Sequence, residues 1–579
     1  MTEPPGTRLT TIGRWLPGVA MLRRYERSWL RHDLVAGLVL TTLLVPQGMA
    51  YAGLAGLAPV TGLYATVAGL LVYALVGPSQ ILVVGPDSSL APMIAAVIAP
   101  LLGAGADPGR AIALASTLAI LTGLLCMAAG LARLGTVAEL LSKPVRIGYL
   151  NGVALIIIAG QLPKLFGFVN GTGSVPDEIW RFVRDVAHGA AQGHAAAIGI
   201  GSLAIIFAFR RWRPQLPGVA IAVAGSIAAV VAFDLASRGV TVLGATPSGF
   251  HMLSIPDIGM HDVGALLVAA AGLAFVTLAD TAPISRTLSI KSGDHIDPNH
   301  EMVAIGAANI AAGLLQGFPL SGSVSRTAVA EANGARTQIT GVVGAGTIVA
   351  ILVGAHGLLR NLPAATLGAI LISAALGLSD IKSLRWLWKV RPSELLLSLL
   401  ATVGVAWLGP LRGIGVAIML AVIDFLRRAW RPHSTLLGRL GDRKGYHDVL
   451  RHPEARQAPG LVLFRFDAPL FFANADHFAN TLRRAIAERG EAIGWVIIAA
   501  EPITDVDTTA AEMLGELLDE LQSKSITFAV AELKGHVKDR LRVYGLLDRV
   551  GEDHVFATIG SAMKFYYQHI GMPNPADTQ

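Results

Sequence analysis

Phe318-Pro319-Leu320-Ser321-Gly322-Ser323-Val324-Ser325-Arg326-Thr327 opens a segment that should be uniformly apolar if it were an ordinary spanning helix. Gly85-Pro86-Asp87-Ser88-Ser89 interrupts an earlier segment in the same way. A helix that begins inside a membrane leaves its first backbone N–H groups unpaired at its positive end. Such an end favours an anion. Serine hydroxyls add donors, and Arg326 adds a full charge that is costly at membrane depth and by default functional. The bland alternative is that these breakers only kink two helices, but a kink needs neither the arginine nor the acid that come with them.

Working outward, the apolar territory runs from about Leu34 to Leu426. At about 20 residues per crossing it holds fourteen segments. They fall near residues 34–50, 59–76, 86–102, 110–130, 146–163, 194–209, 217–236, 263–282, 302–316, 323–333, 340–357, 363–379, 393–409 and 411–427. The two interrupted segments are the third and the tenth, equivalent places in two sets of seven, which is the best sequence pointer to a transport site. The expected fold is a mostly α-helical polytopic membrane protein, with fourteen transmembrane segments as a seven-plus-seven inverted repeat.

Composition agrees. Of 579 residues 53% are apolar and only 15% charged, against roughly 25% charged in soluble domains. Disorder, a coiled coil and a disulfide scaffold are excluded, and the lone Cys126 allows neither an internal disulfide nor a cysteine-rich metal site. No cofactor and no metal are expected. The net charge of +6 does not indicate nucleic acid, because the cations sit in short clusters between apolar runs. Arg133, Lys143 and Arg146 follow segment 4; Arg210, Arg211 and Arg213 follow segment 6; Lys382, Arg385, Lys389 and Arg391 follow segment 12; Arg427, Arg428 and Arg431 follow segment 14. All lie on even-numbered exits, so both termini are expected in the cytoplasm of a multi-pass cell (inner) membrane protein. Residues 1–33, with Arg14, Arg23, Arg24, Arg27 and Arg31, form a polar cytoplasmic segment without a cleavable signal. The stretch from Asp177 to Asp185 reads as an interfacial helix.

The transport domain is thus expected over 34–428, with a linker over 429–459 whose polar part, 432–459, is a linker or a first edge strand. From 460 to 570 short β-type runs (461–466, 495–499, 526–530) alternate with helical patterns at 475–488 and 508–523, a small α/β domain.

Other polar residues stand out. Asp87 at a helix start reads either as a cap or as a titratable group whose protonation accompanies anion binding. Asp280 ends a long apolar run, where a carboxylate is costly unless paired, protonated or cation-bound. Its readings are a structural pair with Arg326 or Arg286 and a coupling-ion site for H⁺ or Na⁺. Arg326 itself is read as an anion ligand or as an internal salt bridge with Asp280 or Glu331. Gln47 and Tyr51 share one helix face, Gln47 as a substrate ligand or as helix–helix glue.

These residues resemble the SulP, or solute carrier 26, family of anion transporters. Val45-Pro46-Gln47-Gly48-Met49-Ala50-Tyr51-Ala52, Leu54-Ala55-Gly56-Leu57-Ala58-Pro59 and Gly62-Leu63-Tyr64 resemble its first two segments. Leu141-Ser142-Lys143-Pro144-Val145-Arg146-Ile147-Gly148-Tyr149 is similar to its segment 4–5 connection. Gly322-Ser323-Val324-Ser325-Arg326-Thr327-Ala328-Val329 and Gly334-Ala335-Arg336-Thr337-Gln338 resemble its segment 10 region. The resemblance runs over nearly the whole chain. It implies a core of segments 1–4 and 8–11, a gate of segments 5–7 and 12–14, elevator-like motion, a homodimer, and a C-terminal cytoplasmic STAS domain that takes a cytoplasmic partner. It places the substrate site at Gln47, Tyr51, Asp87, Ser88, Ser323, Ser325 and Arg326, and ion coupling at Asp280 with Asp87. In related anti-sigma antagonists the hydroxyl matching Thr508 is phosphorylated; the plain reading of Thr508 is a hydroxyl at a helix start.

The chain departs from the pattern at three places. Many members have a small or apolar residue where Asp87 stands. Members that couple bicarbonate to sodium carry hydroxyls at the positions of Ile284 and Val324, and an alkyl group cannot ligate Na⁺, which favours a proton. Pro283 follows Asp280 closely, and local unwinding is expected there only if it lines the site. The sequence carries no nucleophile–base set, metal-ligand cluster or phosphate loop, so an enzyme is not expected. A uracil- or xanthine-type transporter should lack the Ser-Arg pair and the STAS domain. The expected function is proton-coupled secondary transport of a small inorganic anion, sulfate first. The alternatives are bicarbonate or a C4-dicarboxylate, or an anion channel or exchanger of the same family.

Overall fold

The structure, a computed structural model, describes residues 16–102, 107–134, 142–169, 173–213, 216–244, 253–292, 296–354, 356–441, 443–489 and 492–574. Arg14 and Leu141, quoted above, lie outside the described residues. The chain divides into two units, residues 1–421 and 422–579.

In the first unit the helices run α1 (Pro17–Arg23), α2 (Leu30–Leu54), α3 (Pro59–Val76), then strand β1 (Val84–Gly85), α4 (Ala91–Leu102), α5 (Pro108–Leu131), α6 (Lys143–Leu165), α7 (Val175–Ala187), α8 (Gly193–Trp212), α9 (Gly218–Ala232), α10 (Met260–Ser292) and α11 (Pro298–Leu314). Strand β2 (Ser321–Gly322) follows, then α12 (Val324–Ala332), α13 (Ile339–Gly354), α14 (Ala364–Leu378), α15 (Ile381–Val390), α16 (Pro392–Leu408) and α17 (Pro410–Trp430), which runs on into the second unit. Each of the fourteen expected segments overlaps one of these helices, several of which extend beyond the expected bounds. Among the described residues, seven helical stretches are long and apolar enough to cross a membrane, and four shorter apolar helices accompany them. Proline stands in the first turn of α3, α5, α6, α11 and α16, where its missing N–H costs no bond.

Two results differ from the sequence reading. α10 stays helical through Pro283: the bond lost is that of one N–H, and the ring faces outward at an exposed position. The helix is continuous there, so no local unwinding opens at Pro283. α15 is a helix where only a basic loop was read. A helix is present over the Asp177–Asp185 stretch as α7, with Ser174 and Asp177 forming a capping box.

Packing groups these helices. α11 lies along α5 and against α3, and α13 packs on α2 and α3. α6 packs on α14 and α16, and α8 on α9 and α14. Small residues permit the close crossings. A Cβ on Gly62 would fall 1.9 Å from the carbonyl oxygen of Gly48, so α2 and α3 meet backbone to backbone beside Gln47.

The second unit builds a six-stranded sheet from β3 (Ser434–Arg439), β4 (Tyr446–Asp448), β5 (Leu461–Phe466), β6 (Trp495–Ala499), β7 (Thr527–Ala531) and β8 (Val555–Phe556), in the order β4-β3-β5-β6-β7-β8. Helices α18 (Ala475–Glu488), α19 (Thr508–Ser523), α20 (Gly535–Val543), α21 (Leu546–Val550) and α22 (Ile559–His569) accompany it. β5 through β8 pair in parallel, as strand–helix alternation demands, while β3 and β4 add antiparallel at one edge. Residues 432–459, read as a linker or first edge strand, thus supply both β3 and β4. One layer of core joins Val462, Phe464, Phe466 and Phe478 to α19; the other sets Leu461, Leu463 and Trp495 against Met563 and Tyr566 of α22.

Candidate anion site

The two interruptions meet. β1 and β2 pair antiparallel, Val84 opposite Gly322 and Gly85 opposite Ser321; β2 runs almost directly into α12, and β1 reaches α4 through the five residues 86–90. Extended backbone buried among helices must find every partner within the protein, and side chains of neighbouring helices supply them. The Asn309 carboxamide oxygen takes the Leu320 N–H at 2.9 Å while its Nδ2 donates to the Leu320 carbonyl at 3.0 Å. Thr281 Oγ1 accepts from Gly322 N–H at 3.2 Å, and Thr327 Oγ1 from Val83 N–H at 3.0 Å. Gln338 Nε2 donates to the carbonyls of Ser79 and Leu82, both at 2.9 Å.

Arg326, in the first turn of α12, is 1% exposed. Its Nη1 donates to the Pro86 carbonyl at 2.5 Å and its Nη2 to the Gly85 carbonyl at 3.1 Å. Nη2 also lies 3.7 Å from Asp87 Oδ2, so the ion pair is with Asp87 and not with Asp280 or Glu331. Its Nε is buried with no partner among the described residues. A Cβ at Gly85 would sit 3.0 Å from Arg326 Nη1, so glycine lets the guanidinium pack closely against this strand.

Asp87 caps the start of the α4 turn, accepting from the Ser89 N–H and from Ser89 Oγ, each at 3.0 Å. Ser89 Oγ also lies 2.8 Å from Asp280 Oδ2 on α10. The fully buried Ser89 thus stands between the two carboxylates. Ser88 and Ser323 are buried; Ser325 is exposed, and its hydroxyl is 3.3 Å from that of Ser323. Tyr51 on α2 is buried with Ser88, Asp87 and Arg326 around its hydroxyl. Gln47, one turn earlier, is buried and makes no hydrogen bond among the described residues. Ile284 is buried and Val324 exposed.

The arrangement offers two facing helix starts, free N–H groups, hydroxyls, one buried guanidinium and two carboxylates. That suits reversible binding of a small oxyanion. Among the described residues no three His, Cys, Asp or Glu side chains gather as metal ligands. Direct contacts join Arg326, Asp87 and Asp280 through Ser89. Thr508 belongs to the second unit, where it opens α19 at an exposed position directly after its cap, Asp507. The sequence reading gave no role to Ser89, Thr281, Asn309 or Tyr149. Asn309, an amide inside the apolar run 302–314, was a visible signal. Tyr149, on α6, donates to Met93 Sδ of α4 at 3.1 Å; only the fold could bring it there.

Comparison with known proteins bears on the family and the fold. The sequence model described as "Sulfate permease family" matches residues 30–401, and that of the STAS domain residues 452–562. A protein of Mycobacterium tuberculosis named "Probable sulfate transporter" is 40% identical over 560 residues, covering 96% of this chain and 99% of its own. Sulfate transporter 1.1 of Arabidopsis thaliana is 28% identical over 584 residues, covering 97% and 89%. In fold, the chain matches the murine Solute Carrier 26 family member A9 anion transporter with a TM-score of 0.87 at 20% identity, covering 98% of this chain and 96% of that one. The transmembrane domain of a cyanobacterial bicarbonate transporter matches with a TM-score of 0.59 at 23% identity, covering 69% and 98%.

Proposed function

The chain belongs to the sulfate permease family, whose members are transporters, and from that premise we propose that it carries sulfate across the cell (inner) membrane together with a proton. The observation that carries this reading is the Asp87–Ser89–Asp280 chain beside Arg326. A serine hydroxyl has one hydrogen, so it donates to only one of two carboxylates. The second contact becomes a hydrogen bond when one carboxyl holds a proton. A bound anion adds negative charge and favours that protonated state.

The substrate would sit between the starts of α4 and α12, held by N–H groups, Ser88, Ser323 and Ser325, with Gln47 and Tyr51 from α2 and with Arg326 supplying positive charge. Ile284 and Val324 provide no oxygen for Na⁺. The named relatives support sulfate. Elevator-like motion of core against gate, a homodimer, cytoplasmic termini and a STAS domain that takes a cytoplasmic partner complete the reading, with the transport domain over 34–428.

Radiolabelled uptake into proteoliposomes tests it. Sulfate uptake driven by an inward proton gradient and unaffected by a Na⁺ gradient is the expected result. Uptake of bicarbonate or a C4-dicarboxylate but not sulfate would replace the substrate. A conductive flux without coupling would make the protein a channel.

A further inference from the structure

α15 is a ten-residue amphipathic helix, Ile381-Lys382-Ser383-Leu384-Arg385-Trp386-Leu387-Trp388-Lys389-Val390, between α14 and α16. Its inner face sets Leu384 and Leu387 against Ile147 of α6 and Leu395 of α16. Its outer face leaves two indoles exposed, Trp386 at 54% and Trp388 at 70%. Lys143, at the start of α6, lies 5.6 Å over the Trp386 ring. The acid at this place, Asp380, is committed to capping the helix through Ser383, and Arg391 is paired with Glu394. Lys143, Lys382, Arg385 and Lys389 are all exposed and have no ion-pair partner among the described residues.

We propose that α15 and Lys143 bind the headgroup of an anionic phospholipid, and that this lipid holds α6 in the position from which it contacts the anion site. The chemistry fits one occupant. Exposed indoles are at home at headgroup depth, and a helix with an apolar inner face and cations beside them lies flat in that layer. Lys143 and Lys382 share the field of Asp380, and together with Arg385 and Lys389 they leave a net positive charge that attracts anionic lipid over neutral lipid. With the termini in the cytoplasm, as proposed above, α15 faces the cytoplasmic leaflet. The contact then runs inward: Leu387 rests on Ile147, and half a turn along α6 Tyr149 donates to Met93 of α4, the helix that begins at Asp87 and Ser88. Lipid binding stands independently of the substrate; its effect on transport rests on the sulfate reading above.

The test uses the full chain in nanodiscs of phosphatidylcholine with brominated phosphatidylglycerol or brominated phosphatidylcholine, read by tryptophan fluorescence. Quenching several-fold stronger with the brominated anionic lipid is expected in wild type. That excess is expected to vanish in Trp386→Phe/Trp388→Phe and in Lys143→Gln/Lys382→Gln/Arg385→Gln/Lys389→Gln, but to persist in the control Arg210→Gln/Arg211→Gln/Arg213→Gln. Thermal unfolding of each variant checks that it is folded. Equal quenching by the two lipids in wild type, or equal loss in the control, would overturn the site and point to cover by another part of the chain or a second copy. In proteoliposomes, sulfate uptake is expected to rise several-fold with phosphatidylglycerol in wild type and to ignore it in the quadruple variant. Selective quenching with uptake indifferent to lipid would overturn the link to α6.

Discussion

Arg326 Nη1 donates to the carbonyl of Pro86 at 2.5 Å, so the cation of the second half-helix is bonded to the chain that begins the first. The guanidinium therefore does two things. It closes the ribbon of β1 and β2 by binding the Gly85 and Pro86 carbonyls, and it places positive charge behind both helix starts, partly offset by Asp87. On the proposed site, an arriving anion would meet backbone N–H groups and hydroxyls first, with the charge buried beneath.

Arg326→Ala accordingly loses both functions. It leaves Asp87 without its cation and two carbonyls without donors, a loss of about 3–5 kcal/mol for a broken buried pair. Sulfate binding is expected to fall below detection, with a lower unfolding midpoint. Arg326→Lys keeps the charge but cannot reach both carbonyls, and is expected to bind weakly while recovering part of the stability. Equilibrium binding and thermal unfolding on the same detergent-solubilised samples separate the two effects. Wild-type affinity in the alanine variant would remove Arg326 from the anion site.

A second buried acid is purely structural. Asp33, fully buried at the start of α2, accepts from the N–H groups of Arg336 and Thr337 at 2.8 and 3.1 Å. It also accepts from the hydroxyls of Thr337, Thr340 and Tyr25 at 2.7, 3.0 and 3.2 Å. Asp33→Asn turns one acceptor into a donor facing donors, at about 1–3 kcal/mol. The expected outcome is a lower unfolding midpoint with unchanged sulfate affinity in the folded fraction; a changed affinity at constant stability would contradict it.

The spans were legible because every crossing must be an unbroken apolar run, and the two broken ones announced themselves by Pro, Gly and Ser. The pairing of β1 with β2 was not legible, since nothing local says that Gly85 will face Ser321. Arg326 was read as a ligand with Asp280 or Glu331 as rival partners, but its carbonyl partners are backbone atoms that sequence cannot display. α15 was missed because its cations were absorbed into the orientation count, although its two tryptophans lay beside them. Pro283 leaves α10 continuous: the lost bond and ring clash of one proline, about 3 kcal/mol, do not unwind a 33-residue helix held along its length.

In the second unit Glu520 of α19 accepts from Lys524 Nζ and from Arg483 Nε, both at 2.7 Å. Those two cations hold its carboxyl below the usual carboxylate range. A depressed pKa contributes stability that is present above the unfolded value, near 4.3, and is lost as pH falls through the folded one. The contribution is under about 1 kcal/mol, because the pair is partly exposed and screened by salt. Unfolding of β-sheet signal between pH 6 and about pH 3 is therefore expected to be slightly steeper in wild type than in Glu520→Gln. Identical pH profiles would show that the pair contributes nothing.

Ser89 Oγ lies 2.8 Å from Asp280 Oδ2 and 3.0 Å from Asp87 Oδ1, with one hydrogen to share. If the coupling proton completes this chain, anion and proton bind together. By linkage, sulfate affinity then rises as pH falls, by up to about tenfold per pH unit for one proton taken up. Asp280→Asn supplies a permanent donor to Ser89 and is expected to bind sulfate at all pH values while uptake no longer follows a proton gradient. Asp87→Asn removes the titratable charge that faces Arg326, and is expected to flatten the pH dependence of binding. Ser89→Ala breaks the chain without changing charge, so the pH dependence is expected to persist at reduced steepness. Binding measured across pH 5 to about pH 8, with uptake under imposed pH and Na⁺ gradients, decides the matter. Uptake that follows Na⁺ and ignores pH in wild type would end the proton mechanism, and an unaltered pH profile in both carboxylate variants would move the proton elsewhere.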